Sequence, residues 1–313
     1  MVEQRTHKPL VGSSNLPLGT IKSSSTRSSG FAHTSRSMEV QSVSVFGLGI
    51  IGSIWAKHYD DAGILTATWN RTPKPDFRRF VSSAREAAEK ADILHLCLYD
   101  PASVEAVLEL LRPGLNEQKI VVQSSTIDPE SAEKFAALVR QTGARYLEAP
   151  FTGSKPAAED QQTVFFLGGE EADRQSVEDT LKIVSKKRFP FDTPKQAATI
   201  KLAMNHQISA ITQALCEGVA WAREAGLSDD QFFGVLRENV AWSGLAGLKK
   251  EKIEAMNFDP QFSIKNMEKD MRLAAASAPI ALPSLDLVRE RLTSALEAGY
   301  GEDDFISLLR LLS

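Results

Sequence analysis

Short apolar runs alternate with amphipathic segments as far as residue 192. The apolar runs are VQSVSVF, ILTATWNRT, ADILHLCLY, KIVVQSS, RYLEAP, TVFFLGG and KKRFPFD. Two of the intervening segments, DPASVEAVLELL and DPESAEKFAALVR, begin with Asp and Pro, an N-cap followed by the residue best tolerated in a first helical turn. Strands that alternate with helices predict an α/β fold with a parallel, doubly wound sheet.

From Lys195 onward the strand pattern stops and the chain becomes helical. The segment QAATIKLAMNHQISAITQALCEGVAWAREAG predicts one helix of about thirty residues, about 45 Å long at 1.5 Å per residue. Such a helix is longer than one small domain, so we expect it to leave the sheet and begin an all-α second domain. The predicted boundaries are a sheet domain over residues 39–194 and a helical domain over residues 195–313.

Residues 1–38 differ from the rest of the chain in composition. They are rich in serine and interrupted by glycine and proline, and their basic residues are Arg5, Lys8, Lys22, Arg27 and Arg36. Such a segment buries little apolar surface, so we expect a disordered leader or extension. It has no secretory h-region. An organelle transit peptide and an extension before a start at Met38 both fit, and we favour the extension, which implies a cytoplasmic protein.

Charge and composition narrow the classes of function. The 313 residues carry a formal net charge of -4, which provides no basic field for nucleic acid. A membrane span needs an apolar run of about 18 residues, and the chain has no run of that length. Two cysteines, Cys97 and Cys216, are too few for a disulfide framework and indicate a reducing compartment. The histidines show no metal-site spacing, so we expect no metal.

A glycine motif follows the first predicted strand and starts a helix. Gly47, Gly49 and Gly52 form GxGxxG. In this setting the first glycine makes a tight turn, the second lets the backbone approach a pyrophosphate, and the third lets helix and strand pack closely. An ordinary glycine-rich turn is the alternative. We predict a dinucleotide-binding loop, completed by Leu48, Ile50 and Ile51, with the phosphate at the helix N-terminus.

The second strand indicates which dinucleotide binds. NAD enzymes place an acidic residue about twenty positions after the glycines, whereas NADP requires a cation for the 2′-phosphate. Here the strand ends in Asn70, Arg71 and Thr72, and the first acid is Asp76. An arginine fork and a hydroxyl suit a phosphate, so the prediction is NADP.

Several motifs stand in a characteristic order: GLGIIG, WNRT, SST, EAPFTGSKPAAED, KLAMN and FSIKNMEKDMRLA. In that order they resemble the β-hydroxyacid dehydrogenases, most closely the NADPH-dependent glyoxylate and succinic semialdehyde reductases, from about Gln41 to the C-terminus. The resemblance implies a Rossmann-type NADP-binding domain and a helical domain for substrate binding and dimerisation. It also implies a small carbonyl substrate that bears a carboxylate, and a homodimer or homotetramer.

The resemblance assigns roles to individual positions. Lys201 corresponds to the catalytic lysine and Asn205 to its assisting asparagine. The substrate-binding positions would be Ser125, Thr152, Gly153, Ser154, Phe262 and Asp270, with the Thr152–Ser154 turn offering its amides to the carboxylate. Leu98, Thr126 and Lys269 would contact the cofactor.

The stretch TIKLAMN is ambiguous by itself. Lys201 and Asn205 are four positions apart and share one helix face. An ammonium on that face could protonate a developing alkoxide, or its stem could simply cover apolar surface with the charge in solvent. The adjacent His206 is a rival acid, but it points some 100° away on a 3.6-residue helix. With the other motifs, we predict Lys201 as the general acid.

Departures from the family pattern put the substrate in question more than the reaction. Lys195 and Ala197 stand where relatives usually have glycine, Thr152 replaces serine, Phe151 replaces a smaller apolar residue, and Trp242 adds bulk. Three alternatives therefore stay open. They are a 3-hydroxyisobutyrate-like dehydrogenase, an imine reductase and a catalytically silent NADP-binding interaction module.

Overall fold

An eight-stranded sheet forms the N-terminal part of the protein. The structure is a computed structural model and describes residues 41–312. The predicted leader, residues 1–38, lies outside the described residues. The strands are β1 Val43–Phe46, β2 Leu65–Trp69, β3 Ile93–Leu96, β4 Ile120–Gln123, β5 Arg145–Glu148, β6 Phe151–Thr152, β7 Thr163–Gly168 and β8 Ser185–Phe191. The prediction from the apolar runs is confirmed for all of these except the two-residue β6, which was not predicted.

The strand order is β2-β1-β3-β4-β5-β7-β6, with β8 paired to β7. Strands β1 to β5 are parallel, but β7 is antiparallel to β5 and β6. The prediction of a parallel, doubly wound sheet is therefore confirmed for β1 to β5 and was wrong for β7. Residues 153–162 are too few for the usual crossover, so β7 returns alongside β6, whereas the longer connection through residues 169–184 makes β8 parallel to β7.

Helices cover both faces of the sheet and then form the C-terminal region. They are α1 Ile50–Asp61, α2 Ala84–Glu89, α3 Pro101–Leu111, α4 Pro129–Arg140, α5 Lys155–Glu159, α6 Glu171–Ser176, α7 Glu178–Lys182, α8 Pro194–Glu224, α9 Asp229–Arg237, α10 Gly244–Glu254, α11 Ile264–Ser277 and α12 Pro283–Glu297. Short 3₁₀ helices span Arg112–Gly114 and Phe305–Leu311. The predicted α/β fold, a doubly wound Rossmann-type sheet followed by an all-α region, is confirmed.

Helix α8 has 31 residues and joins the two regions. It starts with Pro194 in its first turn, behind a capping box in which the Thr193 hydroxyl accepts from the Gln196 amide. Ala198 packs in the core on one face of the sheet, whereas Leu202 and later residues pack in the helical core. The described residues belong to one compact unit, and a division into domains at residue 194 stays a prediction.

Separate apolar clusters support these regions. One fills the sheet face under α2, α3 and α4, and another fills the opposite face around Trp55 and Tyr59 of α1. A third, which includes Met267 and Leu292, lies among α8 to α12. The carboxyl ends of β1, β3 and β4 lie at one edge of the sheet, where ligands bind in open α/β sheets. No helix among residues 41–312 is long and apolar enough to span a membrane.

Candidate active site

The glycine loop combines two crowded positions with one open position. Gly47 has φ of +101°, and a Cβ there would collide with the Cys97 carbonyl oxygen. A Cβ on Gly52 would collide with the Gly47 carbonyl oxygen, but one on Gly49 would meet nothing within 4 Å. Helix α1 starts after Gly49 without a side-chain cap or an acidic residue in its first turn. The open backbone and free helix N-terminus fit a dinucleotide phosphate.

Asn70 supports this loop from the end of β2. Its Oδ1 accepts from the Leu48 amide at 2.8 Å, and its Nδ2 donates to the Thr72 carbonyl oxygen at 2.8 Å. Lys74, which the motif pattern did not predict, donates from Nζ to the Leu48 carbonyl oxygen at 2.6 Å. Asn70 therefore holds the backbone of the loop, and a direct contact between its side chain and the cofactor stays a prediction.

Arg71 and Thr72 are exposed beside the glycine loop. Within residues 41–312, the Arg71 guanidinium makes no hydrogen bond or ion pair. The loop residues Ile50 and Ile51 lie at the start of α1, and Ile50 is exposed. An unpaired guanidinium at the end of β2, next to a free helix N-terminus, fits a 2′-phosphate.

The loops after β3 and β4 are joined to each other and to α11. The Leu98 amide donates to Ser125 Oγ at 2.8 Å. From α11, Lys269 Nζ donates to the Tyr99 carbonyl oxygen at 2.7 Å and to that of Thr126 at 3.4 Å. The structure thus brings together four predicted residues from three separate segments, Leu98, Ser125 with Thr126, and Lys269, and the contact also includes Tyr99, which was not predicted.

Lys201 and Asn205 lie on one face of α8, as their spacing predicts. Lys201 Nζ donates to Asn205 Oδ1 at 3.0 Å, and Asn205 Nδ2 donates to Asp270 Oδ2 at 2.5 Å. Asp270 is fully buried, and its Oδ1 lies 2.8 Å from Lys269 Nζ. Asp270 is thus the shared anion of a buried group that contains both lysines, and its contact with substrate stays a prediction.

Burial changes the acidity of Lys201. The side chain is almost fully buried, and loss of hydration lowers its pKa from 10.5 to about 8. The Asp270 carboxylate opposes this shift, whereas the Lys269 charge adds to it. The Phe151 ring centroid lies 5.6 Å from Lys201 Nζ. A lysine with this pKa carries its proton at neutral pH and releases it more readily than an exposed lysine.

The predicted carboxylate-binding turn follows Phe151. Thr152 ends β6, Gly153 has φ of +133°, and Ser154 precedes α5 without capping it by a side-chain hydrogen bond. The left-handed backbone at Gly153 favours glycine, and a Cβ there would also press against the Ala157 methyl at 3.2 Å. Phe151, whose ring lies near the Lys201 ammonium, is the residue immediately before this turn.

Phe262 lies on the helical side, in the segment before α11. Its ring packs edge-on against Phe305, with centroids 6.2 Å apart. The Asp304 carboxylate accepts from the amides of Gln261 and Phe262 and pairs with the buried Lys249 ammonium at 2.7 Å. This segment is therefore held firmly, and substrate contact by Phe262 stays a prediction.

The residues that depart from the family pattern have ordinary packing partners. Lys195 pairs with Glu130 of α4 at 3.2 Å. Ala197 is fully buried, and its methyl occupies space that a Cβ on Gly168 would need. The Trp242 ring stacks near Arg237, 5.4 Å from the guanidinium carbon, and lies over Gly247 of α10.

His206, the rival acid, lies apart from the buried group around Lys201. His206 Nε2 lies 3.2 Å from Ser284 Oγ of α12, in a contact separate from the Lys201 and Asp270 group. Among residues 41–312, no group of three or more His, Cys, Asp or Glu side chains is placed to hold a metal ion.

Two family models match successive parts of the chain. The NAD binding domain of 6-phosphogluconate dehydrogenase matches residues 42–193. The model described as NAD-binding of NADP-dependent 3-hydroxyisobutyrate dehydrogenase matches residues 196–312. The two meet where α8 begins.

Individual proteins show the same likeness. Glyoxylate/succinic semialdehyde reductase 2, chloroplastic, from Arabidopsis thaliana is 28% identical over 87% of this chain and 79% of its own length. Glyoxylate/succinic semialdehyde reductase 1 from the same plant is 26% identical over 85% and 96%. The crystal structure of a 3-hydroxyisobutyrate dehydrogenase from Salmonella typhimurium is 25% identical, covers 86% of this chain and 99% of that one, and has a TM-score of 0.77. With its glycine loop and buried lysine, the chain belongs to the β-hydroxyacid dehydrogenase family of NAD(P)-dependent oxidoreductases.

Proposed function

We propose that this enzyme reduces a small aldehyde or keto acid of the glyoxylate or succinic semialdehyde type to the hydroxy acid, with Lys201 as the proton donor. The observation that carries the proposal is the buried ammonium of Lys201, held by Asn205 at 3.0 Å and lying 5.6 Å from the ring of Phe151, the residue before the turn at residues 152–154. The names of the two Arabidopsis relatives support the substrate class.

The cofactor is NADP. The residues that would hold it are the glycine loop, the start of α1, and Arg71 with Thr72 at the 2′-phosphate. When bound, NADPH supplies the hydride for the carbonyl carbon.

The protein provides the charge and the proton for the carbonyl oxygen. The Lys201 ammonium would stabilise the negative charge that develops on that oxygen and then transfer a proton from Nζ to it. Asn205 Oδ1 accepts a hydrogen bond from the ammonium and thereby orients it. The Asp270 carboxylate accepts from Asn205 Nδ2 and thereby orients the amide. Lys201 is left as a neutral amine, which burial favours, and regains a proton from solvent.

Substrate orientation would come from the turn at Thr152, Gly153 and Ser154. The left-handed Gly153 can direct neighbouring amides toward one anion, and the two hydroxyls add donors. A carboxylate bound there would direct the carbonyl of a two- to four-carbon acid toward Lys201, because Phe151, which precedes the turn, has its ring near the Lys201 ammonium.

The reverse reaction, oxidation of a 3-hydroxy acid, is the second candidate. It requires a neutral lysine as the base, and the lowered Lys201 pKa of about 8 makes that form accessible just above neutral pH. An NADP-specific site favours reduction in cells, where this cofactor usually serves as a reductant. A catalytically silent module would not require Lys201, because its buried ammonium, unlike that of Lys249, makes no ion pair with a carboxylate within residues 41–312.

We also infer a cytoplasmic homodimer or homotetramer that associates through the helical region. Large apolar side chains exposed in that region, including Trp221, Val235 and Val240, support the association. The two free cysteines support a reducing compartment such as the cytoplasm. Light scattering at increasing concentration tests the association, and a constant monomer mass contradicts it.

An NADPH-oxidation screen tests the proposed reaction. The substrates are glyoxylate, succinic semialdehyde, related semialdehydes and cyclic imines, with NADH as the cofactor control. Lys201→Met should lower kcat at least a hundredfold with NADPH affinity retained, whereas His206→Gln should stay near wild type. Turnover of imines alone, or loss of activity in the His206 variant only, contradicts the proposal.

A further inference from the structure

A buried chain of polar side chains lies behind Ser125, at the carboxyl ends of β4 and β5. Gln123 and Glu148 are directly opposite in the register of these two strands, and both are fully buried. Gln123 Nε2 donates to Glu148 Oε1 at 2.8 Å, and the Tyr146 hydroxyl donates to Glu148 Oε2 at 2.5 Å. None of the motifs in the sequence includes Gln123 or Tyr146.

The Gln123 amide also binds both backbone groups of Ser125. The Ser125 amide donates to Gln123 Oε1 at 2.6 Å, and Gln123 Nε2 donates to the Ser125 carbonyl oxygen at 3.0 Å. Since the backbone amide can only donate and the carbonyl can only accept, one orientation of the Gln123 amide satisfies both. That orientation directs Nε2 toward Glu148, whose oxygen accepts it.

Glu148 preserves this orientation in both of its charge states. Burial raises the pKa of Glu148 to about 8. An ionised Glu148 accepts from both neighbours. A protonated Glu148 can donate to the Tyr146 oxygen after the hydroxyl rotates, and its other oxygen still accepts from Gln123. The direction of the Gln123 amide is therefore set from the β5 side.

Ser125 connects the Gln123 amide to the predicted nicotinamide site. Its Oγ accepts from the Leu98 amide at 2.8 Å, so the Ser125 turn positions the loop after β3 as well as its own. A well-packed apolar side chain at position 123 would fill the core without the desolvation cost of an amide, yet it would leave both Ser125 backbone groups unpaired.

We propose that Gln123 is a positioning residue for hydride transfer, which sets the Ser125–Thr126 turn and the Leu98 loop, and that Glu148 fixes the direction of its amide. The inference rests on the proposed function, because that function places substrate and nicotinamide next to Ser125 and Thr126. Gln123 touches neither the substrate nor the cofactor and acts only through Ser125.

Two variants of the buried chain separate positioning from packing. Gln123→Met keeps the shape but loses the bonds to Ser125, so kcat should fall roughly tenfold to a hundredfold, as for a small misplacement of reacting groups, with NADPH Kd within about threefold. Glu148→Gln keeps an oxygen for Gln123 and can donate to the Tyr146 oxygen, so it should retain wild-type kcat. Thr212→Val, which removes the hydrogen bond from a buried hydroxyl to the Ile208 carbonyl oxygen within α8, is the matched control.

Amide hydrogen exchange supplies a readout that does not require turnover. Gln123→Met should accelerate exchange of the Leu98 and Ser125 amides, whereas Thr212→Val should leave both unchanged. If the wild type shows no turnover with any substrate, the proposed function fails and the exchange rates still test the network. If Gln123→Met does not fold, Gln123→Asn, which is too short to reach Ser125 and Glu148 together, replaces it. Wild-type kcat and exchange in the Gln123 variant, or equal damage in Glu148→Gln, overturns the proposal.

Discussion

The Lys269 ammonium of α11 lies 2.7 Å from the Tyr99 carbonyl oxygen, in the loop after β3. The two residues are 170 positions apart in sequence and join the helical region to the sheet. The same ammonium pairs with Asp270 at 2.8 Å, so one charge serves both the loop and the buried group around Lys201. Lys269 therefore links the loop that is predicted to contact the cofactor to the buried group around the predicted general acid.

Lys269→Met should weaken NADPH binding about tenfold, because a hydrogen bond from a charged group to a loop carbonyl contributes about 1.5–3 kcal/mol. Titration of NADPH fluorescence measures the Kd. Lys265→Met on the same helix removes an exposed lysine that pairs with Glu302 and should leave the Kd unchanged. Equal Kd values for both variants and the wild type would contradict the role of Lys269.

The rate of reduction should depend on the protonation of Lys201. Its lowered pKa of about 8 predicts a kcat that is constant at lower pH and falls as pH rises through about 8, since the neutral amine cannot protonate the alkoxide. Oxidation of the hydroxy acid should show the opposite trend, because it requires the neutral amine. Measurement of kcat in both directions from about pH 6 to about pH 10 tests this, and parallel profiles would refute it.

Asp270→Asn should move that transition to lower pH. The carboxylate raises the pKa of Lys201, so its loss leaves burial and the Lys269 charge to lower the pKa further. The introduced amide also keeps an oxygen that can accept from Asn205. The control is Glu268→Gln on the same helix, whose carboxylate lies 3.8 Å from Arg272, and its profile should match the wild type. A transition that stays in place in the Asp270 variant contradicts the coupling.

Arg71 should determine the preference between cofactors. Arg71→Ala removes a guanidinium that makes no hydrogen bond or ion pair within residues 41–312 and acts on Asp100 only through a longer-range charge interaction. Folding therefore loses little, while the 2′-phosphate loses a bidentate donor. We expect the ratio of kcat/KM for NADPH to that for NADH to fall about tenfold or more. Arg85→Ala, which removes an exposed pair with Glu89, is the control. An unchanged ratio points to Lys74 or another residue as the phosphate ligand.

Local interactions made most of the secondary structure predictable. Asp100 and Asp128 accept hydrogen bonds from Ser103 and Ser131, as their Asp-Pro sequences suggest, and α3 and α4 begin there. The antiparallel β7 was not predictable in this way. It depends on a return through residues 153–162, whose Gly153, Ser154 and Pro156 indicate a turn but do not specify the direction of the strand that follows.

The site was predictable only where a motif marks it. The spacing of Lys201 and Asn205 predicts their contact, because i and i+4 share a helix face. The contact of Asn205 with Asp270 joins residues 65 positions apart, and Gln123 with Glu148 joins neighbouring strands. Such pairs follow from the packing of whole elements, which no local pattern in one sequence specifies.

Phe151 should set both the acidity of Lys201 and the size of the acceptable substrate. Its ring lies 5.6 Å from Lys201 Nζ and packs against Trp55, with centroids 4.7 Å apart. Phe151→Val opens space at the ammonium, so water should hydrate it and raise its pKa back toward 10.5. The fall in kcat should then start at higher pH, and branched semialdehydes should gain in kcat/KM relative to glyoxylate.

The matched control for this prediction is Phe166→Val, a similar loss of volume on β7 where the ring packs against Phe189 and Phe191 instead of the lysine. Both variants should lose stability, by about 1–3 kcal/mol, because each removes half-buried or buried aromatic surface. Only Phe151→Val should change the pH profile and the substrate ratio. The same shift in both variants would attribute the effect to a general loosening of the sheet, and no shift in either would separate Phe151 from the chemistry of Lys201.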